Sequence, residues 1–161
     1  MSVRIPRRHN APPRVGLLGG SFNPAHEGHL HISLEALKRL ELDEIWWLVS
    51  PQNPLKARQG MAGLTERFDS AQMMATHPRI VVSAIETQLG TSYTADTLAA
   101  LQRRFTQTRF VWLMGADNLA QFDRWKFWEK LMYCAPIAVL DREGYSNKAL
   151  RSTAAQRMER W

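Results

Sequence analysis

Apolar residues follow two different periods along this chain. Short apolar runs, as in strands that are buried on both faces, cover residues 15–18, 44–49, 79–85, 109–114 and 136–140. Helices are predicted over residues 28–40, 65–77, 94–105, 118–134 and 148–160, the fourth in one or two pieces. Strands alternate with helices throughout, and no internal repeat interrupts them. The pattern therefore predicts an α/β fold, a single doubly wound, Rossmann-like domain with a parallel sheet of about five strands.

The helical periods also predict which residues face the sheet. In the first helix, Leu30, Leu34 and Leu37 recur at i, i+4 and i+7 and are expected on the buried face. In the helix over residues 94–105, Leu98 and Leu101 are expected to point inward. The loop over residues 50–63 is long for a compact domain, and loops of that length are often functional.

The composition is that of an ordinary folded domain, with 161 residues, of which 45% are hydrophobic and 22% charged. The one cysteine, Cys134, excludes an intramolecular disulfide and a cysteine-based zinc cluster. No apolar run approaches the roughly 18 residues that a membrane-spanning helix needs. The first residues also lack the apolar core of a secretory signal. We therefore expect a cytoplasmic protein without a membrane partner.

The formal net charge of +6 is concentrated at the two ends of the chain. Residues 1–14 contain four arginines and no acid, and residues 141–161 carry a net charge of +2. Residues 15–140 are neutral, with twelve basic and twelve acidic side chains. Prolines among the arginines predict that residues 1–14 form a flexible basic lead-in, followed by the folded domain over residues 15–161. Because the excess charge lies outside the centre of the domain, we expect no nucleic-acid partner, and an arm that binds RNA is the alternative.

The segment between the first strand and the first helix, residues 19–29, reads Gly-Gly-Ser-Phe-Asn-Pro-Ala-His-Glu-Gly-His. Its two leading glycines allow a phosphate to approach the backbone, and the helix N-terminus that follows presents free N–H groups. Ligands of open parallel sheets bind at the carboxyl ends of strands, where this segment begins. His26 and His29 lie three residues apart, so both imidazoles are expected on one side of a helical turn. These features predict a phosphate-binding loop.

Other phosphate- and metal-binding motifs do not fit this segment. The G-x-x-x-x-G-K-[ST] loop is absent, and Gly16, Gly19 and Gly20 do not form G-x-G-x-x-G. Two histidines three residues apart are compatible with a metal, but no H-E-x-x-H motif is present and Cys134 is distant, so we expect no metal site. A glycine-rich turn with capping histidines is the alternative structural interpretation.

The whole segment resembles the G-G-S-F-N-P-x-H-x-G-H signature of the nucleotidylyltransferase superfamily. Three further segments resemble motifs of one family within it, the bacterial nicotinate-nucleotide adenylyltransferases. Residues 92–98 are similar to S-Y-T-x-x-T-L, residues 114–125 contain G-x-D-x-L-x-x-F-x-x-W, and residues 51–56 are similar to P-x-x-P-x-[KH]. The related pantetheine-phosphate adenylyltransferases usually have threonine at the first position of H-x-G-H, where this chain has His26.

The resemblance implies an enzyme that transfers the adenylyl group of ATP to nicotinate mononucleotide, giving deamido-NAD and pyrophosphate in NAD biosynthesis. His26 and His29 are then expected to hold the α- and β-phosphates. Asp117 is expected to organise the ribose and phosphate region or to cap the helix that follows it. The residues that the resemblance implies for ATP are Gly19, Gly20, Ser21, Phe22, His26, His29 and Asp117. Mg²⁺ is expected to arrive bound to ATP, held mostly by phosphate and water oxygens.

Five residues are candidates for binding the acceptor, nicotinate mononucleotide. By resemblance, Trp125 stacks on the nicotinate ring, and the alternative is that it packs in the core. The amides around Ser92, Tyr93 and Thr94 are expected to hold the pyridine carboxylate, because a helix N-terminus favours an anion. Ser92 or Thr94 is also expected to cap that helix. Lys56 is placed either to reach a phosphate or to remain a solvated loop side chain.

One motif of the family is missing. The late I-S-[SA]-T-x-[IL]-R segment, which contacts the ATP phosphates in the family, does not occur, because Ser152, Thr153 and Arg157 have a different spacing. We therefore expect that the C-terminal part of the family fold is absent from this chain. Two alternatives follow: an adenylyltransferase for another small acceptor, of the pantetheine-phosphate type, and a form that binds nucleotide without turnover. The sequence leaves an oligomer open.

Overall fold

The computed structural model describes residues 11–51 and 60–141. Lys56, the predicted helix over residues 148–160 and residues 1–10 of the predicted lead-in lie outside the described residues. In chain order the elements are β1 (Arg14–Gly20), α1 (Glu27–Arg39), β2 (Glu44–Val49), α2 (Leu64–Met74), β3 (Ile80–Ser83), α3 (Ile85–Leu89), α4 (Thr94–Arg104), β4 (Arg109–Gly115), α5 (Ala116–Leu119), a 3-10 helix (Phe122–Arg124), α6 (Trp128–Cys134) and β5 (Ile137–Leu140).

The strands form one sheet in the order β3-β2-β1-β4-β5, and each neighbouring pair is parallel. This confirms the predicted doubly wound α/β fold. The chain order reverses at β1, which lies between β2 and β4. Gly20 at the end of β1 lies opposite Val49 at the end of β2, so the carboxyl ends of these strands reach the same edge of the sheet. Ligands of open α/β sheets bind at this reversal.

The structured domain begins slightly before the predicted boundary. The backbone N–H of Arg14 donates to the Asp43 carboxylate at 2.8 Å, and the N–H of Arg109 donates to the Pro13 carbonyl at 2.8 Å. Both Pro13 and Arg14 belong to the predicted flexible lead-in. Hydrogen bonds therefore join these two residues to the sheet, and the division of the chain into a lead-in and a domain stays a prediction.

The sheet separates two apolar cores. The core beneath α4 and α6 includes Trp46, Leu98, Leu101, Phe110 and Trp112. The core beneath α1 and α2 includes Ile32, Ala36, Leu37, Trp47 and Ala71. Successive side chains of a strand point to opposite faces, so the neighbours Trp46 and Trp47 enter different cores. Leu98 and Leu101 are buried as predicted.

The buried face of α1 differs from the predicted one. Leu37 is buried, but Leu34 is 40% exposed. The helix instead buries Ser33, whose hydroxyl donates to a carbonyl one turn earlier at 2.8 Å and accepts the Trp47 indole N–H at 2.7 Å. This hydrogen bond satisfies both buried polar groups and holds the helix on the sheet in a different rotation.

Two further elements differ from the prediction. The strand predicted over residues 79–85 ends at Ser83, and the chain then forms the short helix α3, which ends at Gly90 with φ 66°. The helix predicted over residues 118–134 is divided into three pieces. Phe127, with φ 61°, lies directly before the last piece, and a left-handed residue does not continue a right-handed helix.

Candidate active site

The β1–α1 loop, residues 21–26, leaves the carboxyl end of the central strand and leads into α1. Phe22 has φ 51°, in the left-handed region that a large side chain rarely adopts. Burial of its ring offsets this strain, because Phe22 is 1% exposed and packs against His29 and Trp47, with ring centroids 4.5 and 5.3 Å apart. The loop is therefore anchored to the core by its own aromatic residue.

His26 and His29 form a reciprocal cap at the start of α1. His26 is the N-cap residue, and its Nδ1 accepts the N–H of Gly28 at 3.1 Å. The backbone N–H of His26 donates in turn to Nδ1 of His29 at 3.1 Å, and the ring centroids lie 3.9 Å apart. This is a capping box in which imidazoles replace the usual hydroxyl and carboxyl groups. The expected proximity of the two imidazoles is confirmed, and the histidines also cap the helix as the alternative interpretation held.

The cap decides where each neutral imidazole carries its proton. A nitrogen that accepts an N–H has no proton of its own, so neutral His26 and His29 carry theirs on Nε2. Capping uses the Nδ1 atoms only, and Nε2–H is the donor group of each ring. His26 is exposed and His29 half-buried. Two adjacent N–H donors beside a helix N-terminus form a suitable environment for an anionic oxygen.

Helix α2 contacts both ends of the β1–α1 loop. Arg67, which is 2% exposed, donates from Nη1 to the Ser21 carbonyl at 2.7 Å. The hydroxyl of Ser70, one turn later, accepts the N–H of Ala25 at 3.3 Å. Between these contacts, the side chain of Asn23 accepts a backbone N–H from the residues before α2 at 3.2 Å. Polar contacts from one helix thus bracket the loop.

The two glycines at the end of β1 have different surroundings. A Cβ at Gly19 would lie 2.6 Å from Cη2 of Trp112 on β4, so packing alone requires glycine here. At Gly20 a Cβ would meet the Phe22 ring at 3.6 Å, which is an ordinary contact. The first glycine of the pair therefore makes room for a buried tryptophan, a reason that sequence reasoning did not give.

Asp117 lies just beyond the carboxyl end of β4, in the first turn of α5. Gly115 is the N-cap of that helix, so the alternative that Asp117 acts as the helix cap was wrong. β4 is the neighbour of β1, with Leu113 opposite Leu18. The half-buried Asp117 is thus brought to the same edge of the sheet as the β1–α1 loop.

A second group of candidate residues lies at the N-terminus of α4. Tyr93 is its N-cap and no side chain caps it, so the prediction that Ser92 or Thr94 caps this helix was wrong. The Nζ atom of Lys126 lies 4.4 Å from the Tyr93 ring centroid and 5.1 Å from that of Phe127. The two rings meet edge to face at 6.0 Å. Lys126 thus lies over the ring of the N-cap residue of α4, and a helix N-terminus and a positive charge each favour a bound anion.

Trp125 is half-buried at the edge of the first core. Its ring meets Phe122 at 5.3 Å and Trp112 at 6.4 Å, in both cases edge to face. Part of the ring packs in the core, and part remains accessible. Because Trp112 also fills the space above Gly19, a continuous line of contacts joins the end of β1 to Trp125.

Glu86 is a buried carboxyl group in the first turn of α3 that sequence reasoning missed. It is 7% exposed, and burial raises its pKa to about 7. Its backbone carbonyl accepts the N–H of Thr91 at 3.3 Å, and the Thr91 hydroxyl shares a hydrogen bond with that of Thr97 at 2.8 Å. Hydrogen bonds thus join α3 to the first turns of α4.

Within residues 11–51 and 60–141, no group of three or more histidine, cysteine, aspartate or glutamate side chains is arranged to hold a metal ion. A magnesium ion that is held by ATP phosphates and water needs no such group. In the same part of the chain, no helix is both long enough and apolar enough to cross a membrane.

Comparison with known proteins defines the class of this chain. A family model described as cytidylyltransferase-like matches residues 17–159. A relative from Parvibaculum lavamentivorans is 61% identical over 142 residues, 88% of this chain and 71% of the relative. Another, from Bradyrhizobium sp., is 54% identical over 148 residues, 92% of this chain and 77% of the relative. Both are described as a "probable nicotinate-nucleotide adenylyltransferase". The chain belongs to the nicotinate-nucleotide adenylyltransferase family.

Solved structures share the fold. Plasmodium falciparum nicotinic acid mononucleotide adenylyltransferase complexed with NaAD matches with a TM-score of 0.68 at 15% identity, over 91% of this chain and 83% of that chain. The structure of the same enzyme complexed with APC also matches with a TM-score of 0.68 at 16% identity, over 87% of this chain and 72% of that chain. At these identities, the likeness supports the doubly wound α/β architecture alone.

Arg67 and Lys126 were missed because basic residues of predicted helices are mostly exposed. For Arg67 a signal was present, since it precedes the buried Ala71 by four residues and therefore shares its helix face. Lys126 directly follows Trp125 of the family motif, but nothing in the sequence indicates that it lies over Tyr93.

Proposed function

We propose that this chain transfers the adenylyl group of ATP to nicotinate mononucleotide and releases pyrophosphate, forming deamido-NAD. The observation that carries the proposal is the pair of imidazoles, His26 and His29, at the helix N-terminus beside the reversal of the sheet. Membership of the family supports the same reaction class.

The proposed reaction depends on positioning and charge stabilisation rather than on a general base. A phosphate oxygen of the acceptor is already anionic and attacks the α-phosphorus of ATP in line. The bond from the α-phosphorus to the bridging oxygen breaks, and pyrophosphate leaves with the electron pair. In this proposal, the Nε2–H groups of His26 and His29 donate to the phosphate oxygens on which negative charge increases.

The remainder of the proposed nucleotide site comes from the end of β1 and of β4. The backbone that lines the phosphates belongs to Gly19, Gly20, Ser21 and Phe22. Asp117 orients the ribose and phosphate region from the same edge of the sheet, and Lys56 as a phosphate ligand stays a prediction. Mg²⁺, bound to ATP oxygens and water, neutralises part of the phosphate charge. The N–H donors of this site suit the phosphate oxygens that carry the ion and not the ion itself.

The proposed acceptor site lies at the N-terminus of α4. The amides around Ser92, Tyr93 and Thr94 face the pyridine carboxylate, and Trp125 stacks on the ring through its accessible part. The ammonium group of Lys126, 4.4 Å from the Tyr93 ring centroid, adds a positive charge there. Helix N-terminus and ammonium group both favour the acidic nicotinate over the neutral nicotinamide.

The test is the release of pyrophosphate from ATP and Mg²⁺ with nicotinate mononucleotide, nicotinamide mononucleotide or phosphopantetheine as the acceptor. Intact mass identifies the chain in each preparation, expected at 18.5 kDa. We expect release with nicotinate mononucleotide far above the other two acceptors. Preferential release with phosphopantetheine would contradict the proposed acceptor. Binding of ATP without release for any acceptor would instead support a form that binds nucleotide without turnover.

A further inference from the structure

Arg67 is more deeply buried than any other charged side chain that the structure describes. Its Nη1 donates to the carbonyls of Ser21 and Ser50 at 2.7 and 2.9 Å, and its Nε donates to the carbonyl of Ala62 at 3.0 Å. Within residues 11–51 and 60–141, no carboxylate forms an ion pair with it. A buried charge is costly unless polar groups satisfy it, and here backbone carbonyls do so.

The three carbonyls come from three separate segments of the chain. Ser21 opens the β1–α1 loop, Ser50 follows β2, and Ala62 precedes α2. Ser50 is itself joined to the end of β1, since its N–H and its hydroxyl donate to the Gly20 carbonyl at 2.9 and 3.1 Å. The planar guanidinium group holds its acceptors in fixed directions, as a lysine ammonium group does not. One side chain therefore sets the start of the β1–α1 loop relative to two neighbouring segments.

We propose that Arg67 is a positioning residue for the adenylyl transfer: it fixes the start of the β1–α1 loop so that the loop amides and His26 meet the ATP phosphates. The inference rests on the proposed binding of phosphates by this loop and is independent of the acceptor. The other contact from α2, between Ser70 and Ala25, holds the far end of the same loop.

The experiment compares Arg67→Lys with Arg79→Lys as a matched control. Arg79 also donates from its guanidinium to a backbone carbonyl, that of Leu42, at 3.1 Å. It lies just before β3, at the opposite edge of the sheet from the β1–α1 loop. Both variants retain the positive charge and lose the planar donor group. For each, KM and kcat are measured with ATP and with nicotinate mononucleotide varied separately. MgATP binding is measured by calorimetry without acceptor, and Tm is recorded.

We expect Arg67→Lys to raise KM and Kd for MgATP by about tenfold, while KM for the acceptor changes by less than about twofold. We expect Arg79→Lys to change neither KM. A structural role alone would lower Tm or the active fraction with KM for ATP unchanged, and that result would overturn the proposal. Equal increases in both KM values would also overturn it.

Ser70→Ala supplies a second test if Arg67→Lys does not fold. It loosens the other end of the loop, so KM for ATP is expected to rise about threefold, and an unchanged value would count against positioning by α2. A wild-type chain that binds MgATP but releases no pyrophosphate would contradict the proposed function. The calorimetric comparison would still decide the role of Arg67.

Discussion

The two sides of the candidate active site are held by different kinds of contact. On the phosphate side, the β1–α1 loop is fixed by hydrogen bonds from Arg67 and Ser70 and by the reciprocal cap at its end. On the acceptor side, defined here as Tyr93 with residues 125–127, the side chains meet as aromatic rings and an ammonium group, and the hydrogen bonds come from the backbone. Directional hydrogen bonds from side chains therefore set the orientation of the loop on the phosphate side. On the acceptor side, the side chains are held mainly by the packing of their rings.

This difference follows from what each side is proposed to bind. Hydrogen bonds weaken steeply when distance or angle changes, so they hold a loop in the one geometry that in-line transfer needs. Contacts between rings tolerate small shifts, and they leave accessible aromatic surface for a planar ligand. Substitutions on the phosphate side should accordingly weaken MgATP binding or lower kcat, and do so with every acceptor. Those on the acceptor side should alter the choice between acceptors.

The largest expected effect is that of His26→Asn. Asparagine is a good N-cap residue, so the helix should remain stable, but the Nε2–H donor is lost. Loss of one donor to developing charge typically costs about 3–4 kcal/mol, so kcat should fall by roughly a hundredfold to a thousandfold with any acceptor. Pyrophosphate release and thermal unfolding measure the two quantities separately. His31→Asn, on an exposed position of α1, is the control, and equal effects of both variants would contradict the role of His26.

The next largest effect is expected on the free energy of unfolding and comes from Glu86, the buried carboxyl group of α3. Burial raises the pKa of Glu86 to about 7, above its ordinary value of 4.5. Between these values the folded chain holds a proton that the unfolded chain releases, so the free energy of unfolding falls as pH rises through this window. Glu86→Gln stays neutral, and it should stabilise the fold by about 3 kcal/mol at most at pH 8 and little at pH 4.

Urea unfolding at several pH values measures the effect of Glu86→Gln. Glu66→Gln, an exposed position on the phosphate-side helix α2, is the control. Parallel stability curves for wild type and Glu86→Gln across this pH range would show that the carboxyl group does not titrate as its burial implies.

Trp125→Ala should weaken the binding of the acceptor and leave the binding of ATP nearly unchanged. Stacking of an aromatic side chain on a base contributes about 1–3 kcal/mol, so KM for nicotinate mononucleotide should rise roughly tenfold while KM for ATP remains within about twofold. Trp125→Phe keeps a ring and should retain most of the affinity. Steady-state kinetics with each substrate varied in turn gives both constants. An equal rise in both KM values would indicate that Trp125 acts through the core and not by stacking.

Lys126→Met should have the smallest effect, because the ammonium group is exposed and water screens it. We expect KM for nicotinate mononucleotide to rise roughly threefold at low salt, with little change for nicotinamide mononucleotide. Lys130→Met is the matched control, since Lys130 is also exposed and lies 3.7 Å from Asp96 of α4. An equal rise in KM for both mononucleotides would show that the ammonium group does not determine which acceptor the enzyme prefers.

Much of the fold and of the phosphate side was predictable because both depend on local patterns. Apolar runs and helical periods gave the strand and helix alternation, which the parallel sheet confirms. The spacing of His26 and His29 predicted adjacent imidazoles, which follows from the geometry of one helical turn. Errors arose where packing overrode the local pattern. Leu34 is exposed because α1 turns Ser33 toward Trp47, and Phe127 interrupts a predicted helix.

The sequence was enough to predict the alternation of strands and helices, the place of the loop motif between the first strand and the first helix, and the resemblance to a family of adenylyltransferases. The contacts that hold this loop became visible only in the folded chain. The carbonyls of Ser21 and Ser50 lie 46 and 17 residues from Arg67 along the chain, so no local pattern brings them together. The same holds for Lys126, which meets Tyr93 across the fold. Periodicity reports contacts within one helix or strand, whereas these contacts form only when parallel strands align their carboxyl ends at a common edge.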